Sequence, residues 1–415
     1  MIFKSSDRKK RILFLISRFL DGGIDTILVE YLQNIPLDQY DVTLAVGVKM
    51  DELEVHLKRI PEGVKVEYLV DSPSLTRIKK AKIKGRVGFG LKLWDELALN
   101  PLRKAQSAWR LGRLKRKADA IIDFDSTFYS SLKGTRQRPV TGFYHFSIAE
   151  NLRRSKRHTR RQMEGMAAYD HIALISDAMV DEGLQLFPDL ARKFVRIYNG
   201  YNLQALRQRG DAPLPADVSS GSYLVAVERL EESQKDISTL LKAFAQTLIN
   251  PEFTRIDALR PAPLRLKIVG TGRDRSRLER LAQDIGIADR VDFLGFQPDA
   301  APWIANSLAL VHSSKYEGFG LVLAEALILG RAVAATDCPS GPAQVLDYGR
   351  AGMLIPVGDE KVMSRVMTLL ASDPVRRAEL EAAALKRAED FNIQKSVNQL
   401  LSICFKPNQD RASQR

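Results

Sequence analysis

Strand-length apolar runs alternate with helical patterns along the whole chain, and this alternation restricts the fold more than any other feature of the sequence. Strands that alternate with helices form a parallel sheet covered by helices on both faces. The first series of predicted strands lies at 11–17, 42–46, 64–69, 120–123, 140–144 and 172–175. The second series lies at 223–227, 264–269, 291–294, 308–312, 332–335 and 353–355. The sequence therefore predicts an α/β protein of two doubly wound, Rossmann-like domains.

A polar segment rich in glycine and proline, at 199–222, separates the two series. The length of 415 residues suits two domains of roughly 200 residues each. We therefore expect an N-terminal domain at 1–200, a linker at 201–222 and a C-terminal domain at 223–385. Residues 386–415 are predicted to form a helix that packs back toward the N-terminal domain, followed by a frayed tail. Ligands of such sheets bind at the carboxyl ends of the strands, so we expect a cleft between the domains to hold the functional site.

Cysteine content and hydropathy restrict the compartment. The two cysteines, Cys338 and Cys404, are too few for a disulfide framework or for a zinc site built from thiols alone. No run of about 18 apolar residues occurs, and the first apolar run, 12–16, is shorter than the core of a signal peptide. These features predict a protein of the reducing cytoplasm that does not span a membrane.

Most of the formal net charge of +13 lies in one segment, 75–117, which we call the basic segment. It contains 14 basic residues and two acidic ones, a local excess of 12, and it interleaves them with apolar residues such as Trp94 and Trp109. A cationic side next to an apolar side suits an anionic membrane surface. A solvated helix face is the alternative. Nucleic acid is not an expected partner, because no recognition motif accompanies the charge.

The most informative stretch is Glu317-Gly318-Phe319-Gly320, followed by an apolar helical run from 321 to 329 whose one carboxylate is Glu325. Glycines at the start of a helix leave backbone N–H groups accessible, which prepares the helix for a phosphate. A carboxylate on a buried helix needs hydrogen-bond donors. The alternative is that Glu317 caps the helix and Glu325 forms an ordinary salt bridge.

The stretch resembles the Glu-x7-Glu motif of glycosyltransferase family four, whose members share the two-domain GT-B fold. The resemblance implies that Glu317 is catalytic and contacts the hydroxyls of a donor sugar, and that Glu325 contacts the ribose of the nucleotide. It also implies that the start of the helix binds the donor diphosphate, through Gly318, Phe319, Gly320 and Leu321.

Further motifs follow the order that this family shows. The strand at 223–227 and the residues after it resemble the family's diphosphate-neutralising pair, here Arg229 and Lys235, whose charges suit such a leaving group. Two departures occur: Glu228 stands where glycine is usual, and the gap between Arg229 and Lys235 is one residue longer. Gly270 and Phe296 resemble the two strand ends that flank the base, although each glycine there is also a possible turn residue.

The N-terminal half carries weaker signals. Gly22 and Gly23 resemble the glycine loop that faces the diphosphate across the cleft in this family. His145 follows a predicted strand where the family often has a histidine near the reacting sugar; a structural histidine is the alternative. A functional His145 is expected to bind the sugar or the acceptor with a pKa near neutrality.

Asp123-Phe124-Asp125 imitates the metal-binding Asp-x-Asp motif of the other large glycosyltransferase fold. A structural role is preferred, because this triplet lies far in sequence from every diphosphate motif. We expect no metal site and no cofactor, since Arg229, Lys235 and the helix near Gly320 supply positive potential.

The resemblance, together with the basic segment, implies a retaining, metal-independent glycosyltransferase on the cytoplasmic face of the inner membrane. Its expected donor is a nucleotide-diphosphate sugar, and its expected acceptor is a lipid-linked or lipopolysaccharide-type glycan. The alternatives are a nucleotide-sugar epimerase of GT-B fold and a non-catalytic nucleotide-sugar-binding subunit. The base and sugar of the donor are not predicted.

Overall fold

The computed structural model describes residues 8–20, 22–83, 88–135, 137–215 and 221–405. Its contacts divide the chain into two compact units, which we call the N-terminal and C-terminal domains. The N-terminal domain comprises Met1–Ile175, Val180–Gly200 and Ile393–Arg415, and the C-terminal domain comprises Ser176–Met179 and Tyr201–Asn392. Three parts of the predictions lie outside the described residues: 84–87 of the basic segment, 216–220 of the linker, and the tail at 406–415.

The N-terminal domain is built on a parallel sheet of seven strands in the order β3-β2-β1-β4-β5-β6-β7. The strands are β1 (Lys10–Ile16), β2 (Tyr40–Val46), β3 (Lys65–Tyr68), β4 (Ala120–Asp123), β5 (Val140–Tyr144), β6 (His171–Leu174) and β7 (Phe194–Arg196). The strand order reverses between β1 and β4, and ligands of doubly wound sheets bind at this kind of switch point.

Helices connect these strands. They are α1 (Gly23–Asn34), α2 (Pro73–Ile83), α3 (Phe89–Trp94), α4 (Asn100–Lys117), α5 (Tyr129–Leu132), α6 (Ile148–Met166) and α7 (Asp177–Leu186). A π-helical turn, Asp95–Leu99, joins α3 to α4. The basic segment is therefore largely helical where the structure describes it.

The C-terminal domain is built on a parallel sheet of six strands in the order β10-β9-β8-β11-β12-β13. The strands are β8 (Tyr223–Val227), β9 (Arg265–Val269), β10 (Val291–Gly295), β11 (Ala309–His312), β12 (Ala332–Thr336) and β13 (Met353–Ile355). The switch point of this sheet lies between β8 and β11.

The helices of the C-terminal half follow the same alternation. They are α8 (Leu203–Gly210), α9 (Glu232–Lys235), α10 (Ile237–Leu248), α11 (Pro251–Asp257), α12 (Arg275–Asp284), α13 (Ala301–Ala305), α14 (Leu321–Ile328), α15 (Pro342–Val345), α16 (Glu360–Ser372), α17 (Pro374–Ala388) and α18 (Ile393–Phe405). The last of these, α18, packs within the N-terminal domain.

Continuous apolar runs explain why the central strands form. Strands of a parallel sheet are covered on both faces, so they contain few polar residues. Leu224, Ile268 and Val311 of β8, β9 and β11 are fully buried and pack against α10 and α16, where Phe244 and Met367 lie. The predicted α/β class with two doubly wound domains is confirmed.

The predicted linker differs from the structure at its start, where α8 forms. The side chain of Asn202 accepts a hydrogen bond from the amide of Ala205, which caps the helix. Leu203 and Leu206 are buried, so the helix packs into the C-terminal domain. The polar composition of 199–222 concealed this short amphipathic helix.

None of the helices in the described residues is both long enough and apolar enough to cross a membrane.

Candidate functional site

Four ionisable side chains meet at the switch point of the C-terminal sheet. Glu228 directly follows β8, and His312 is the last residue of the neighbouring strand β11. Lys235 ends the short helix α9, and Glu317 lies in the loop between β11 and α14. We call these four residues the switch-point cluster. All four side chains are at least 85% buried, so their charges are poorly screened by water.

The Glu317 carboxylate is held by three donors on one oxygen. Its Oε1 accepts hydrogen bonds from Lys235 Nζ at 2.5 Å, Ser314 Oγ at 2.7 Å and His312 Nε2 at 3.0 Å. Burial alone would raise the pKa of Glu317, but the charges and hydrogen bonds of Lys235 and His312 outweigh it and hold the pKa well below its usual range. None of the described residues reaches Oε2 with a hydrogen bond. Glu317 is therefore ionised at neutral pH and has one carboxylate oxygen left for a ligand.

Lys235 keeps its charge in this buried position. Burial would lower its pKa, but Glu317 and Glu228 raise it above its usual value. The ammonium is thus a fixed positive charge at the carboxyl ends of β8 and β11.

Glu228 is in a different situation from Glu317. Neither of its carboxylate oxygens has a hydrogen-bond partner among the described residues, and Oε2 lies 3.4 Å from His312 Nδ1. Burial raises the pKa of Glu228 to about 7, although His312 and Lys235 oppose the shift. A carboxylate without donors is costly to ionise inside a protein, so Glu228 takes up a proton far more readily than an exposed glutamate.

This pKa predicts how stability depends on pH. The unfolded chain ionises Glu228 near pH 4.5, whereas the folded chain holds the proton to about pH 7. Between these values the unfolded state binds fewer protons, so the free energy of unfolding falls as pH rises. We expect Glu228→Gln, relative to the wild type, to be more stable at pH 8 than at pH 4, by up to about 3 kcal/mol.

Urea unfolding of the two proteins at both pH values measures this difference. Glu279→Gln, which removes a partly exposed carboxylate of α12, serves as the control and is expected to give no comparable change. A stability difference between Glu228→Gln and the wild type that stays constant with pH would show that Glu228 is not protonated in the folded state.

The amino end of α14 has the features of an anion site. Gly320 is the N-cap with φ of +84°, and no side chain caps the amides of the first turn. A Cβ atom built on Gly341 would lie 2.5 Å from Phe319 O, so only glycine permits the close approach of these two loops. The Phe319 side chain is buried against Phe391. The motif glycines thus shape a loop whose amides precede a helix.

Glu325 lies on α14 and is half-buried. Its Oε1 accepts a hydrogen bond from the Tyr201 hydroxyl at 3.0 Å. Tyr201, which the sequence did not single out, therefore orients this carboxylate, and the ribose contact of Glu325 stays a prediction.

Arg229 is not part of the switch-point cluster. Its side chain is 70% exposed, and within the described part of the chain it pairs with Glu231 Oε2 at 3.8 Å. Such an exposed pair contributes little stability, so the guanidinium can turn toward a ligand. Its diphosphate contact stays a prediction.

The two residues predicted near the base have different environments. Gly270 has φ of +136°, and a Cβ atom there would lie 2.0 Å from Glu228 O, so this position needs glycine for packing. Gly270 N donates to Gly295 O at 2.8 Å, which joins the ends of β9 and β10. Phe296 is 53% exposed, and a ring in this setting can stack on a flat ligand.

In the N-terminal domain, His145 follows β5 and is buried. Its ring is stacked on Phe143 and tilted against Phe124, and its Nε2 donates to Phe124 O at 2.7 Å. Burial lowers the pKa of His145 to about 4. The expectation of a pKa near neutrality is therefore wrong, because aromatic rings surround the imidazole and disfavour its charged form.

A cavity of about 290 Å³ lies beside His145, within the N-terminal domain. Most of its lining residues have polar side chains, although the surface that they present is largely apolar, and the helix α6 that forms one wall is interrupted at Ser155, where φ is −151° and ψ is 70°. The lining residues include Asp125, Thr127, His145, Asn151, Arg154 and His158. Neutral His145 presents Nδ1 as a hydrogen-bond acceptor, because Nε2 carries the proton. This cavity suits a ligand with hydroxyl groups.

The other predicted residues of this domain are engaged internally. The amide of Gly22 donates to Asp25 Oδ2 at 2.9 Å, so an acidic side chain occupies the loop expected to meet a diphosphate. Asp123 is fully buried and accepts from Tyr169 Oη and from the Phe128 amide. Asp125 accepts from Ser17 and Thr127. The structural role preferred for the two aspartates agrees with these contacts, and the role of Gly22 and Gly23 stays a prediction.

The basic segment contains both an internal ion pair and an exposed apolar surface. Arg103 is buried and donates to Asp95 Oδ1 at 2.7 Å, so this part of the charge holds the segment together. Among the side chains of this segment that the structure describes, six large apolar ones are more than half exposed: Leu91, Leu93, Trp94, Leu97, Leu102 and Trp109. Large exposed apolar groups in one segment mark an interaction surface.

Besides Tyr201, sequence reasoning missed His312 and Ser314, the two residues that join Lys235 in holding Glu317. A signal was available, because polar residues directly follow the buried strand 308–312 at its carboxyl end, where ligands of such sheets bind.

Residues 218–387 match the family model described as Glycosyl transferases group 1. The lipopolysaccharide core biosynthesis glycosyltransferase LpsE of Rhizobium meliloti is 32% identical over 128 residues, 31% of this chain and 37% of that protein. The lipopolysaccharide 1,6-galactosyltransferase of Salmonella typhimurium is 25% identical over 272 residues, 64% of this chain and 69% of that protein. For other curated relatives, the match spans between 16% and 61% of their length.

The solved structure of Anabaena HepE in complex with UDP and glucose is similar to 95% of this chain and 98% of that chain, with a TM-score of 0.72 and 18% identity. At this identity the likeness shows the fold. The two parallel-sheet domains have the GT-B fold.

Proposed function

We propose that this chain is a retaining, metal-independent glycosyltransferase of family four. Its donor is a nucleotide-diphosphate sugar, and its acceptor is a lipid-linked or lipopolysaccharide-type glycan. The observation that carries the proposal is Glu317, an ionised carboxylate with one unbonded oxygen beside a fixed ammonium and an uncapped helix. The matched family model and the names of the relatives support the same reaction class.

The donor binds the C-terminal domain in this proposal. The diphosphate lies at the amides of Gly320 and Leu321, where the helix dipole and Lys235 favour negative charge. Glu317 Oε2 accepts a hydrogen bond from a sugar hydroxyl, Glu325 contacts the ribose, and Phe296 stacks near the base. Arg229 swings from Glu231 toward the diphosphate.

The proposed chemistry needs no nucleophile from the protein. The bond between the anomeric carbon and the phosphate oxygen breaks, and the acceptor oxygen forms its bond on the same face. The acceptor proton passes to the departing phosphate oxygen. Lys235, Arg229 and the helix amides stabilise the charge that develops on this oxygen, which is the role that a metal plays in other transferases.

The acceptor binds the N-terminal domain. The cavity beside His145 offers amide, hydroxyl and guanidinium groups, which together suit a sugar. The neutral ring of His145 accepts a hydrogen bond at Nδ1 from a hydroxyl of the acceptor, because its pKa of about 4 keeps it uncharged at neutral pH. It acts by orienting the acceptor.

The basic segment binds an anionic membrane surface, on the cytoplasmic face of an inner membrane. Its exposed tryptophans suit the interface between headgroups and acyl chains, and its lysines and arginines suit anionic lipids. A lipid-linked acceptor would be found at the same surface.

Nucleotide binding tests the donor site. Thermal unfolding is measured with UDP, GDP, ADP and their common sugar conjugates, for the wild type and for Glu325→Gln. A ligand at a hundred times its Kd stabilises the native state by about 2.7 kcal/mol, a shift in Tm of several degrees. We expect one nucleotide family to stabilise the wild type and the shift to shrink in Glu325→Gln. Glu279→Gln, which alters α12 of the same domain, is expected to keep the full shift.

The outcomes separate the three functions. Transfer of radiolabelled sugar to acceptor membranes supports the proposal. Conversion of the donor to an epimer without acceptor would instead identify an epimerase. Nucleotide binding without turnover, in the presence of acceptor membranes, would identify a binding subunit, and no binding at all would remove the basis of the proposal.

Vesicle flotation tests the basic segment. We expect binding to vesicles that contain about one-third anionic phospholipid, and weaker binding at high salt. Replacing Trp94 and Trp109 with serine is expected to lower the partition coefficient at least about tenfold, since each ring loses its apolar contact with the bilayer. Leu259→Ser is the control, because Leu259 is 87% exposed but lies in the C-terminal domain. Equal losses in both variants would contradict a specific membrane surface.

A further inference from the structure

Glu228 is a buried ionisable residue that the proposed reaction does not use. Its side chain is completely buried, and in the described part of the chain neither carboxylate oxygen accepts a hydrogen bond. It also stands where the family pattern has glycine. A buried carboxylate without hydrogen-bond donors lowers the stability of the folded protein. This cost in stability indicates that Glu228 has a function.

The switch-point cluster contains two acids and two bases. Two different arrangements of its protons give it a net charge of zero. In the first, Glu228 is protonated, His312 is neutral, and Lys235 balances Glu317. In the second, the proton lies on His312, so that two cations balance two carboxylates. The two arrangements differ by the position of one proton between Glu228 Oε2 and His312 Nδ1, which lie 3.4 Å apart.

When a donor is bound, two anionic groups compete for the Lys235 ammonium. In the free protein it donates to Glu317 Oε1 at 2.5 Å, and in the proposed function it neutralises the donor diphosphate. Turning toward the phosphate weakens the contact that keeps Glu317 ionised. His312 Nε2 remains on Glu317 Oε1 at 3.0 Å and is the nearest group able to replace that charge.

We propose that Glu228 and His312 share one buried proton, which moves to His312 when a donor diphosphate draws Lys235 away from Glu317. The O–H bond at Glu228 Oε2 breaks, and an N–H bond forms at His312 Nδ1. The products are a Glu228 carboxylate and a His312 imidazolium whose Nε2–H faces Glu317. No proton enters or leaves the cluster, so the site stays neutral while Glu317 stays charged. Glu228 is thus a positioning residue: it supplies the proton that keeps a positive charge beside Glu317. The inference rests on the proposed binding of the diphosphate at Lys235.

The other ionisable groups around the cluster do not supply this proton. Glu232, which also acts on Glu228, pairs with Arg277 at 3.2 Å and accepts from the Ser238 amide. The Cys338 thiol is buried, and its pKa is raised to about 12 by burial and by Glu317, so it remains protonated. Glu228 and His312 are left as the exchanging pair.

Two measurements test the inference. The first is the ¹⁵N spectrum of the imidazole rings in wild-type protein labelled at its five histidines, with and without UDP, GDP or ADP. The His312 signals, identified by their absence in His312→Gln, are expected to move from neutral imidazole to imidazolium on saturation with the nucleotide diphosphate that binds. Because this measurement uses the wild type, it does not depend on the folding of a Glu228 variant.

The second measurement is the Kd of the same nucleotide for Glu228→Gln and for the wild type between pH 6 and pH 8.5. The glutamine cannot give up a proton, so His312 must take one from solvent. We expect the ratio of variant to wild-type Kd to rise between pH 6 and pH 7, where the wild type still holds the Glu228 proton, and to level off above about pH 7, where the wild type has lost that proton as well. Taking the ratio cancels the titration of the nucleotide phosphate. Glu232→Gln is the control, with a ratio expected to stay flat.

The outcomes also distinguish this inference from the proposed function. If a nucleotide diphosphate binds but the His312 nitrogens do not change, or the Kd ratio for Glu228→Gln is flat, the shared proton is refuted and the donor site stands. If no nucleotide diphosphate binds the wild type, the proposed function fails and the inference fails with it.

Discussion

Replacing Glu317 with glutamine is expected to lower kcat for sugar transfer by about 10²- to 10³-fold, the size of effect seen when one preorganised polar contact to a transition state is removed. The amide cannot accept three charge-assisted or hydroxyl hydrogen bonds as the carboxylate does, so Lys235 and His312 lose their shared partner. The sugar hydroxyl also loses a charged acceptor, whose hydrogen bond is stronger than a neutral one.

Initial rates with saturating donor measure this effect, and nucleotide binding measured in parallel shows that the site still forms. The control is Glu381→Gln, which removes an ion pair between α17 and Arg331. This variant is expected to keep nearly full activity. A Glu317→Gln protein with unchanged kcat would exclude Glu317 from the reaction and would favour a helix-capping role.

Replacing Gly270 with alanine is expected to destabilise the C-terminal domain by about 4 kcal/mol or more, through backbone strain and overpacking together. The added Cβ atom would lie 2.0 Å from Glu228 O, and φ of +136° is unfavourable for alanine. Because Glu228 N donates to Val269 O at 2.9 Å, neither backbone can move without breaking the contact between β8 and β9.

Gly286→Ala is the control that separates the cost of backbone strain from the cost of a steric clash. Gly286 has φ of +72°, but a Cβ atom there would meet nothing within 4 Å, so about 1 to 2 kcal/mol of strain is expected. Thermal unfolding of both variants gives the comparison, in which Gly270→Ala is expected to lose roughly 10 °C in Tm. Equal losses in the two variants would mean that the ends of β8 and β9 yield to the added methyl group.

The sequence predicted the strands well because their signal is local. Twelve of the thirteen described strands were predicted, and most of them are apolar runs of the kind that a parallel sheet requires for burial on both faces. The missed strand, β7 (Phe194–Arg196), has three residues and lies at the edge of its sheet, so its composition carries little signal. Helix α8 was missed because its polar residues outnumber its two buried leucines.

The site was predictable only in part. Glu317 and Glu325 were found from a motif, because their spacing along one loop and helix is a property of the sequence. The pairing of Glu228 with His312 depends on β8 lying next to β11, and strand order is decided by the whole sheet. The pKa of His145 depends on the rings of Phe124 and Phe143. Phe143 is a near neighbour on β5, but Phe124 follows β4, and the pairing of β4 with β5 is decided by the whole sheet.

Helix α18 has a consequence for how the chain folds as it is synthesised. Its residues belong to the N-terminal domain, where Ser396 Oγ donates to Tyr198 O and Phe405 stacks on Tyr40. A ribosome that adds 5–20 residues per second needs roughly 10 to 40 seconds to reach α18 after completing residue 200. During that interval the first sheet is finished but the surface that α18 covers is exposed, and the second domain is completed before the first.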